Sequence, residues 1–324
     1  EMAAGMIEKY GDEWRLKPFS TTPWTYNAPE GYHFVNCGLR ARSYGDYFAA
    51  GLAWAMDTFG FDGFYSDGVA HVYACQNQAH GCGYLDDDGN LHSTWAIFGV
   101  REALKRMYRI VKSRQPDGYV VNHASFDLEP PLLSFSDVCY TGEHEDYENL
   151  VNARLRFASK PWGIYVTLLG SSEHTYSTLH AMVPLLHGTS VWGSGIIGRN
   201  DLGRKDAALR KAYADFNTKS ATWVPYWVGE KGFYTGGDSR VKASLYYHPA
   251  KDILLLAANL NPEPKKITLT LDLARFGLSG KKLAAVNQLT EQKIEVSANG
   301  QMVVTIKPKS FVLLKINEPT QPQY

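Results

Sequence analysis

The sequence predicts an α/β fold: a (β/α)8, TIM-like barrel over residues 1–231, an antiparallel β-sandwich over 232–318, and a short polar tail, 319–324. Three observations predict it. Short, wholly apolar runs alternate with helical periodicity as far as Trp227, which marks parallel strands buried on both faces. From about Gly232 the apolar period switches to two, with turn residues between the runs. Polar or acidic residues also recur directly after the apolar runs of the first half, where the βα loops of a barrel form its open face.

Taken in order, the run 32–36 reads as a strand, and Phe48, Leu52, Ala55, Met56 and Phe59 then recur at helical spacing. Residues 61–68 form the next strand. An amphipathic helix follows from about Thr94, with Ile97, Val100, Leu104, Met107, Tyr108 and Val111 on its apolar face. Gln115, Pro116, Asp117 and Gly118 end it with turn chemistry. Strands are expected at 119–123, 138–141, 163–169 and 189–192, and helices at about 150–158, 178–187 and 207–221. One connection is short, because Pro130 and Pro131 interrupt the segment between His123 and Val138. Six strands are countable, so the first strands of a barrel belong before residue 1 or in the weakly patterned stretch 6–29. The chain therefore reads as an N-terminally truncated part of a longer protein. A doubly wound open sheet is the rival architecture. Beyond Gly232, short strands are expected at 244–247, 253–258, 266–271, 284–286, 293–296, 302–306 and 311–316, with turns at Asn261-Pro262 and Asn299-Gly300.

Composition narrows the function classes. Apolar residues make up 44% and charged residues 20% of 324, with a formal net charge of zero. That balance points away from nucleic acid and from anionic membranes as partners. No apolar run approaches the roughly 18 residues needed to cross a bilayer, and the first residues lack the pattern of a secretory leader. Aromatics reach 13%, with 20 Tyr and 8 Trp. A flat apolar face with a hydrogen-bonding tip suits stacking on sugar rings. The four cysteines show no two-residue spacing of a zinc knuckle or redox motif. Cys75 and Cys82 bracket a short loop and form a disulfide if the protein is exported; otherwise all four are free thiols.

The strand ends name the candidate site: Asn36, Asp67, His123, Glu143 and Trp192. Two are carboxylates. Strands once removed place their backbones roughly 10 Å apart, and inward-leaning side chains then reach the ~5–9.5 Å separation that glycosidases use. Asp67 closes an apolar strand, and Gly68 lets the chain turn at once, although Asp-Gly is also a common turn dipeptide. Glu143 has the same setting, with Glu145 behind it as an alternative acid. His123 either bonds a sugar hydroxyl or is a packed histidine. Trp192 stacks on a sugar face or fills the barrel mouth. Tyr65 and Tyr140 precede the carboxylates as inward residues or hydroxyl donors.

No cofactor and no metal are expected. Asp86 to Asn90 faintly echo a calcium loop but lack its closing Glu, and read better as a hairpin tip. His71, His80 and His92 form no i, i+4 ligand pair. No phosphate loop and no Gly-x-Ser-x-Gly elbow occur.

The run 60–68, the loop 75–84 with Ala79-His80-Gly81-Cys82-Gly83-Tyr84, and Thr141-Gly142-Glu143 resemble a bacterial glycoside-hydrolase-like barrel family. More distantly, an Asp ending the fourth strand and an acid ending the sixth is similar to the α-galactosidase and melibiase superfamily. That resemblance implies Asp67 as nucleophile and Glu143 as acid/base, with Glu where the superfamily usually has Asp. The adjacent Asp-Glu dyad of substrate-assisted enzymes is absent, since Gly68 follows Asp67. The expectation is a retaining glycosidase acting on an oligo- or polysaccharide outside the cytoplasm. An inverting enzyme with the same pair, and a non-catalytic sugar-binding protein on a degenerate barrel, are the alternatives.

Overall fold

A computed structural model describes residues 2–17, 37–67, 72–123, 129–141, 149–157, 164–168, 178–191, 201–236 and 238–319. The expected strand at 32–36 lies outside the described residues. Contacts divide the chain into two units, Glu1–Tyr140 and Thr141–Tyr324.

In the first unit α1 (Met2–Trp14) leads to α2 (Arg42–Phe59). Sequence pattern did not reveal α1, because what orders it is tertiary: Trp14 is buried and its indole donates to Ser43 Oγ at 2.7 Å, while Ser43 donates to Glu13 at 2.8 Å. Gly60 ends α2 in the left-handed conformation, φ +70°, returning its N–H to Met56. β1 (Phe64–Ser66) follows, then three two-residue strands and β5 (Thr94–Trp95): β2 (Ala74–Cys75) pairs with β5, and β3 (Tyr84–Leu85) with β4 (Leu91–His92). The β3–β4 connection is the expected hairpin tip. Asp86 accepts from His92 and from the Asn90 and Asp88 backbones, and these bonds, that of His92 foremost, hold its carboxyl below the usual range.

α3 (Ile97–Arg114) buries Val100, Ala103, Leu104, Met107 and Val111, the i, i+3, i+4, i+7 stripe that its sequence predicts. It leads to β6 (Val120–His123), the single turn α4 (Pro130–Leu133) and β7 (Val138–Thr141). Pro130 and Pro131 do not break α4; they start it, at positions whose N–H groups need no partner. β1, β6 and β7 pair in parallel, Phe64 opposite Val120 and Val121 opposite Val138. Phe64 and Val120 pack with Met56 of α2 and Val111 of α3. Gly63 and Gly118 permit the close entry of β1 and β6: a Cβ would sit 2.2 Å from Tyr119 O at the first and 1.9 Å from Asp62 O at the second.

The second unit contains α5 (Leu150–Phe157), β8 (Tyr165–Leu168), α6 (Thr178–Leu186), β9 (Ser190–Val191) and α7 (Asp201–Phe216), with β8 and β9 parallel. Antiparallel strands follow: β10 (Thr222–Val224), β11 (Tyr234–Gly236), β12 (Val241–His248), β13 (Asp252–Asn259), β14 (Lys265–Leu271), β15 (Ala284–Asn287), β16 (Lys293–Glu295), β17 (Gln301–Ile306) and β18 (Ser310–Asn317). One sheet runs β10-β12-β13-β18-β15-β16 and the other β11-β14-β17. The antiparallel sheet takes its first strand ahead of residue 232.

β13 is buried along its whole length. Ile253, Leu255 and Ala257 share a core with Ile267, Leu269, Met302 and Val304 of the second sheet. Leu254, Leu256 and Ala258 face Met182, Leu186, Ala212 and Phe216 of α6 and α7. A strand with two buried faces must be apolar at every position, and 253–258 is. Among the described residues no helix is long and apolar enough to cross a membrane.

Two stability predictions follow from this packing. Leu255→Ala should cost about 2–5 kcal/mol in urea unfolding. His187 is buried beside Tyr226 and Trp227 and donates from Nδ1 to Val183 O at 2.7 Å. Burial pushes its pKa from 6.5 down to about 4, against the pull of the Val183 carbonyl and with a smaller push from Arg154. Between those values the unfolded chain binds a proton that the folded one refuses. Stability is therefore complete above pH 6.5 and falls, by about 3 kcal/mol for this group, as pH drops toward 4. Urea unfolding at pH 7.5 and 5 should show the loss in the wild type and a smaller one in His187→Gln.

Candidate active site

Parallel partners point to the same face of a sheet, so the register sorts the strand-end side chains. Tyr65 pairs with Val121, Ser66 with Asn122 and His123 with Tyr140. Tyr65, His123 and Tyr140 therefore share one face, joined by Asp67 just past β1. Phe64, Ser66, Val120, Asn122 and Cys139 share the other, the face that meets α2 and α3 through Phe64 and Val120.

On the first face the four residues form one cluster. His123 Nδ1 lies 2.6 Å from Tyr65 Oη and 3.0 Å from Asp67 Oδ1. The Tyr140 ring stands 5.7 Å from that of Tyr65, near perpendicular, and 5.4 Å from the imidazole. His123 and Tyr140 are buried, whereas the Asp67 side chain is 72% exposed. At that exposure the ion pair adds little stability. His123 Nδ1 is hydrogen-bonded to Tyr65 Oη, and the Asp67 carboxylate stands beside that pair with most of its surface open to solvent. His123, weighed from sequence as a sugar ligand or a packed histidine, is buried, bonded to Tyr65 and close to Asp67.

The opposite face supplies rigidity. Ser66 Oγ donates to Asn122 Oδ1, and Asn122 Nδ2 donates to Ser136 Oγ at 2.5 Å. All of this is at or near zero exposure for Ser66 and Asn122. The C-terminal ends of β1 and β6 are thereby locked to each other directly beneath Asp67 and His123.

Sequence reasoning brought Tyr65, Asp67, His123 and Tyr140 to notice, and the structure brings them together. Asn36, Glu143, Glu145 and Trp192 lie outside the described residues. Tyr73 was missed. Burial, and then the nearby Asp67 carboxylate, push its phenol above the ordinary range. Only its position in the loop after Asp67 signalled it. Ser66 was also missed, and the strand-end residue Asn122 was given no role, although polar residues inside otherwise apolar strands were the available sign.

Two other features stand apart from this cluster. A groove of about 500 Å³, lined by Arg40, Arg42, Trp95, Phe98 and Arg106 among others, contains none of the candidate residues. Among the described residues one group of possible metal ligands converges, Cys75, His80 and Cys82. All four cysteines are free.

No family model matches the chain. No curated protein matches it. Solved structures do, over most of its length. It is similar to α-galactosidase I of Mortierella vinacea, with TM-score 0.56 at 13% identity over 89% of this chain and 74% of that one. A noncanonic maltogenic α-amylase from Thermotoga neapolitana gives 0.55 at 14%, covering 97% and 74%. A GH27 β-L-arabinopyranosidase from Geobacillus stearothermophilus gives 0.53 at 9%, covering 96% and 68%. At such identities the likeness speaks for the fold alone: the chain has the fold of these glycoside hydrolases.

The buried Ser66–Asn122–Ser136 rail makes a prediction of its own. Asn122→Ala leaves two hydroxyls without their partner and should cost about 1–3 kcal/mol in thermal or urea unfolding, more than Ser66→Ala.

Proposed function

We propose that the chain is a glycoside hydrolase, with Asp67 as the nucleophile and Glu143 as the general acid/base of a retaining reaction. The observation that carries this reading is the Asp67 cluster. An exposed carboxylate stands at the C-terminal end of a parallel strand, on the face away from the helices, beside a buried histidine and near tyrosines. That is where a (β/α)8 barrel presents its reacting groups, and the fold shared with α-galactosidase and α-amylase supports such a barrel here. The proposed organisation is a catalytic barrel within 1–231 supported by a β-sandwich at 232–318.

In this reading Asp67 attacks the anomeric carbon and forms a glycosyl ester while Glu143 protonates the departing oxygen. Glu143 then takes a proton from water, which releases the sugar with retained configuration. Glu143 follows β7 as Asp67 follows β1, and Glu145 is the alternative acid. Tyr65, His123 and Tyr140 line the reacting end. In this reading Tyr65 and Tyr73 supply hydroxyls to the reacting end, and Trp192 and Asn36 complete the proposed sugar contacts. The substrate is an oligo- or polysaccharide, met outside the cytoplasm. An inverting reaction uses the same two carboxylates with a water held between them.

Hydrolysis of a panel of aryl glycosides tests the proposal. Asp67→Asn should lower kcat by several orders of magnitude with an unchanged thermal unfolding profile, and wild-type rates from that variant would end the assignment. His123→Gln, which removes the imidazole beside Asp67 and its bond to Tyr65, should cost roughly 10- to 100-fold. The anomer released first, read by NMR, separates retention from inversion. Sugar binding with no turnover by the wild type would instead indicate a binding protein.

A further inference from the structure

Three metal-binding side chains converge in the first unit on a segment separate from the strand ends. One donor atom each from Cys75, His80 and Cys82 lies within 4.8 Å of the other two. All three residues are buried, at 1%, 8% and 2% exposure. His80 Nε2 is 3.2 Å from Cys75 Sγ.

The chain is shaped to bring them there. Cys75 is fixed in β2 opposite Thr94. Asn77 caps the turn 78–80, accepting from Ala79 N at 3.1 Å, and its carbonyl receives the Cys82 N–H at 3.0 Å. Cys82 is flanked by Gly81 and Gly83 at φ +78° and +85°, left-handed conformations that turn its thiol inward. A side chain at Gly83 would also press to 3.1 Å from Gln76 Cα.

The surroundings are those of a ligand set. His80 donates from Nδ1 to the Glu13 carbonyl at 2.5 Å, which fixes the tautomer with the Nε2 lone pair toward Cys75. A backbone carbonyl on the second ring nitrogen is the usual support of a metal-bound histidine. The Asn77 N–H points at Cys75 Sγ at 3.4 Å, as amides do toward thiolates. Asn77 Nδ2 donates to Asp12 O at 2.8 Å and Arg15 O at 2.7 Å. The loop and the carbonyl end of α1 are thus one assembly.

We propose that Cys75, His80 and Cys82 bind one Zn²⁺ ion, which fastens the 75–83 loop to the end of α1 through His80. Two thiols lose their protons to solvent as the ion binds, and the two thiolates cancel its charge. Zn–S bonds of about 2.3 Å and a Zn–N bond of about 2.0–2.1 Å set sulfur and nitrogen roughly 3.5 Å apart in a tetrahedron. The observed 3.2 Å requires adjustments of a few tenths of an ångström. The fourth position belongs to an exogenous ligand. A Cys75–Cys82 disulfide is the competing outcome; it would need an oxidant and would leave the buried Nε2 of His80 without its sulfur partner. Cys75, Cys82 and His80 were each noticed in the sequence, but ligands five and two residues apart match no helical or knuckle spacing, so their convergence was not.

The test uses the whole chain, purified under reducing conditions. Metal analysis should find about one zinc per chain, lost from Cys75→Ser, Cys82→Ser and His80→Ala but kept by Cys139→Ser. Where a variant does not fold, the wild type decides: chelation should lower its Tm, added Zn²⁺ should restore it, and Co²⁺ in its place should give thiolate charge-transfer and tetrahedral ligand-field bands. Failure of the reduced wild type to bind Zn²⁺ or Co²⁺ overturns the proposal. So does peptide mapping that finds Cys75 and Cys82 joined in protein kept with Zn²⁺.

Discussion

The parallel, in-register pairing of β1, β6 and β7 is the constraint on which the site depends. Once Ser66 is opposite Asn122 and His123 opposite Tyr140, every side chain of the three strand ends is assigned a face. One face takes Phe64 and Val120 into the helices, and the other collects Tyr65, Asp67, His123 and Tyr140. A slip of one residue would send Asp67 toward the helices and Ser66 toward the site. The Ser66–Asn122–Ser136 rail opposes that slip, because its hydrogen bonds close only in the observed register. Fold and chemistry meet at that point: the polar groups that lock the strands lie directly behind the polar groups proposed to act.

The same logic, in antiparallel form, governs the second unit. β13 divides two cores, and its alternate residues serve the facing sheet and the helices in turn. Such a strand tolerates no polar position in its middle. That is why its polar ends, Asp252 and Asn259, are bonded: Asp252 accepts from His248 at 2.8 Å, and Asn259 donates to Glu263 O at 2.8 Å.

Legibility in the sequence followed burial. Runs such as 253–258 and the stripe of α3 were plain, because a buried face imposes its period on the residues. α1 was not, since Trp14 and Ser43 order it across a gap in sequence that pattern cannot bridge. β10 and β11 are three residues each, too short to show a period. In the site, the four strand-end residues were readable from their position alone. Tyr73, and the convergence of Cys75, His80 and Cys82, were not, because only coordinates show where the connection 68–83 leads its side chains. The surroundings of His123 needed the register, which sets it beside Tyr65, Asp67 and Tyr140.

The central claim is that Asp67 forms a bond to the sugar. The most direct measurement is covalent trapping: the chain is incubated with activated 2-deoxy-2-fluoroglycosides of the sugars it hydrolyses, and the adduct is located by peptide mass spectrometry. One glycosyl group per chain is expected, carried on the peptide that contains Asp67 and absent from Asp67→Asn. An adduct on another carboxylate, or steady hydrolysis of those sugars with no adduct at all, would contradict it.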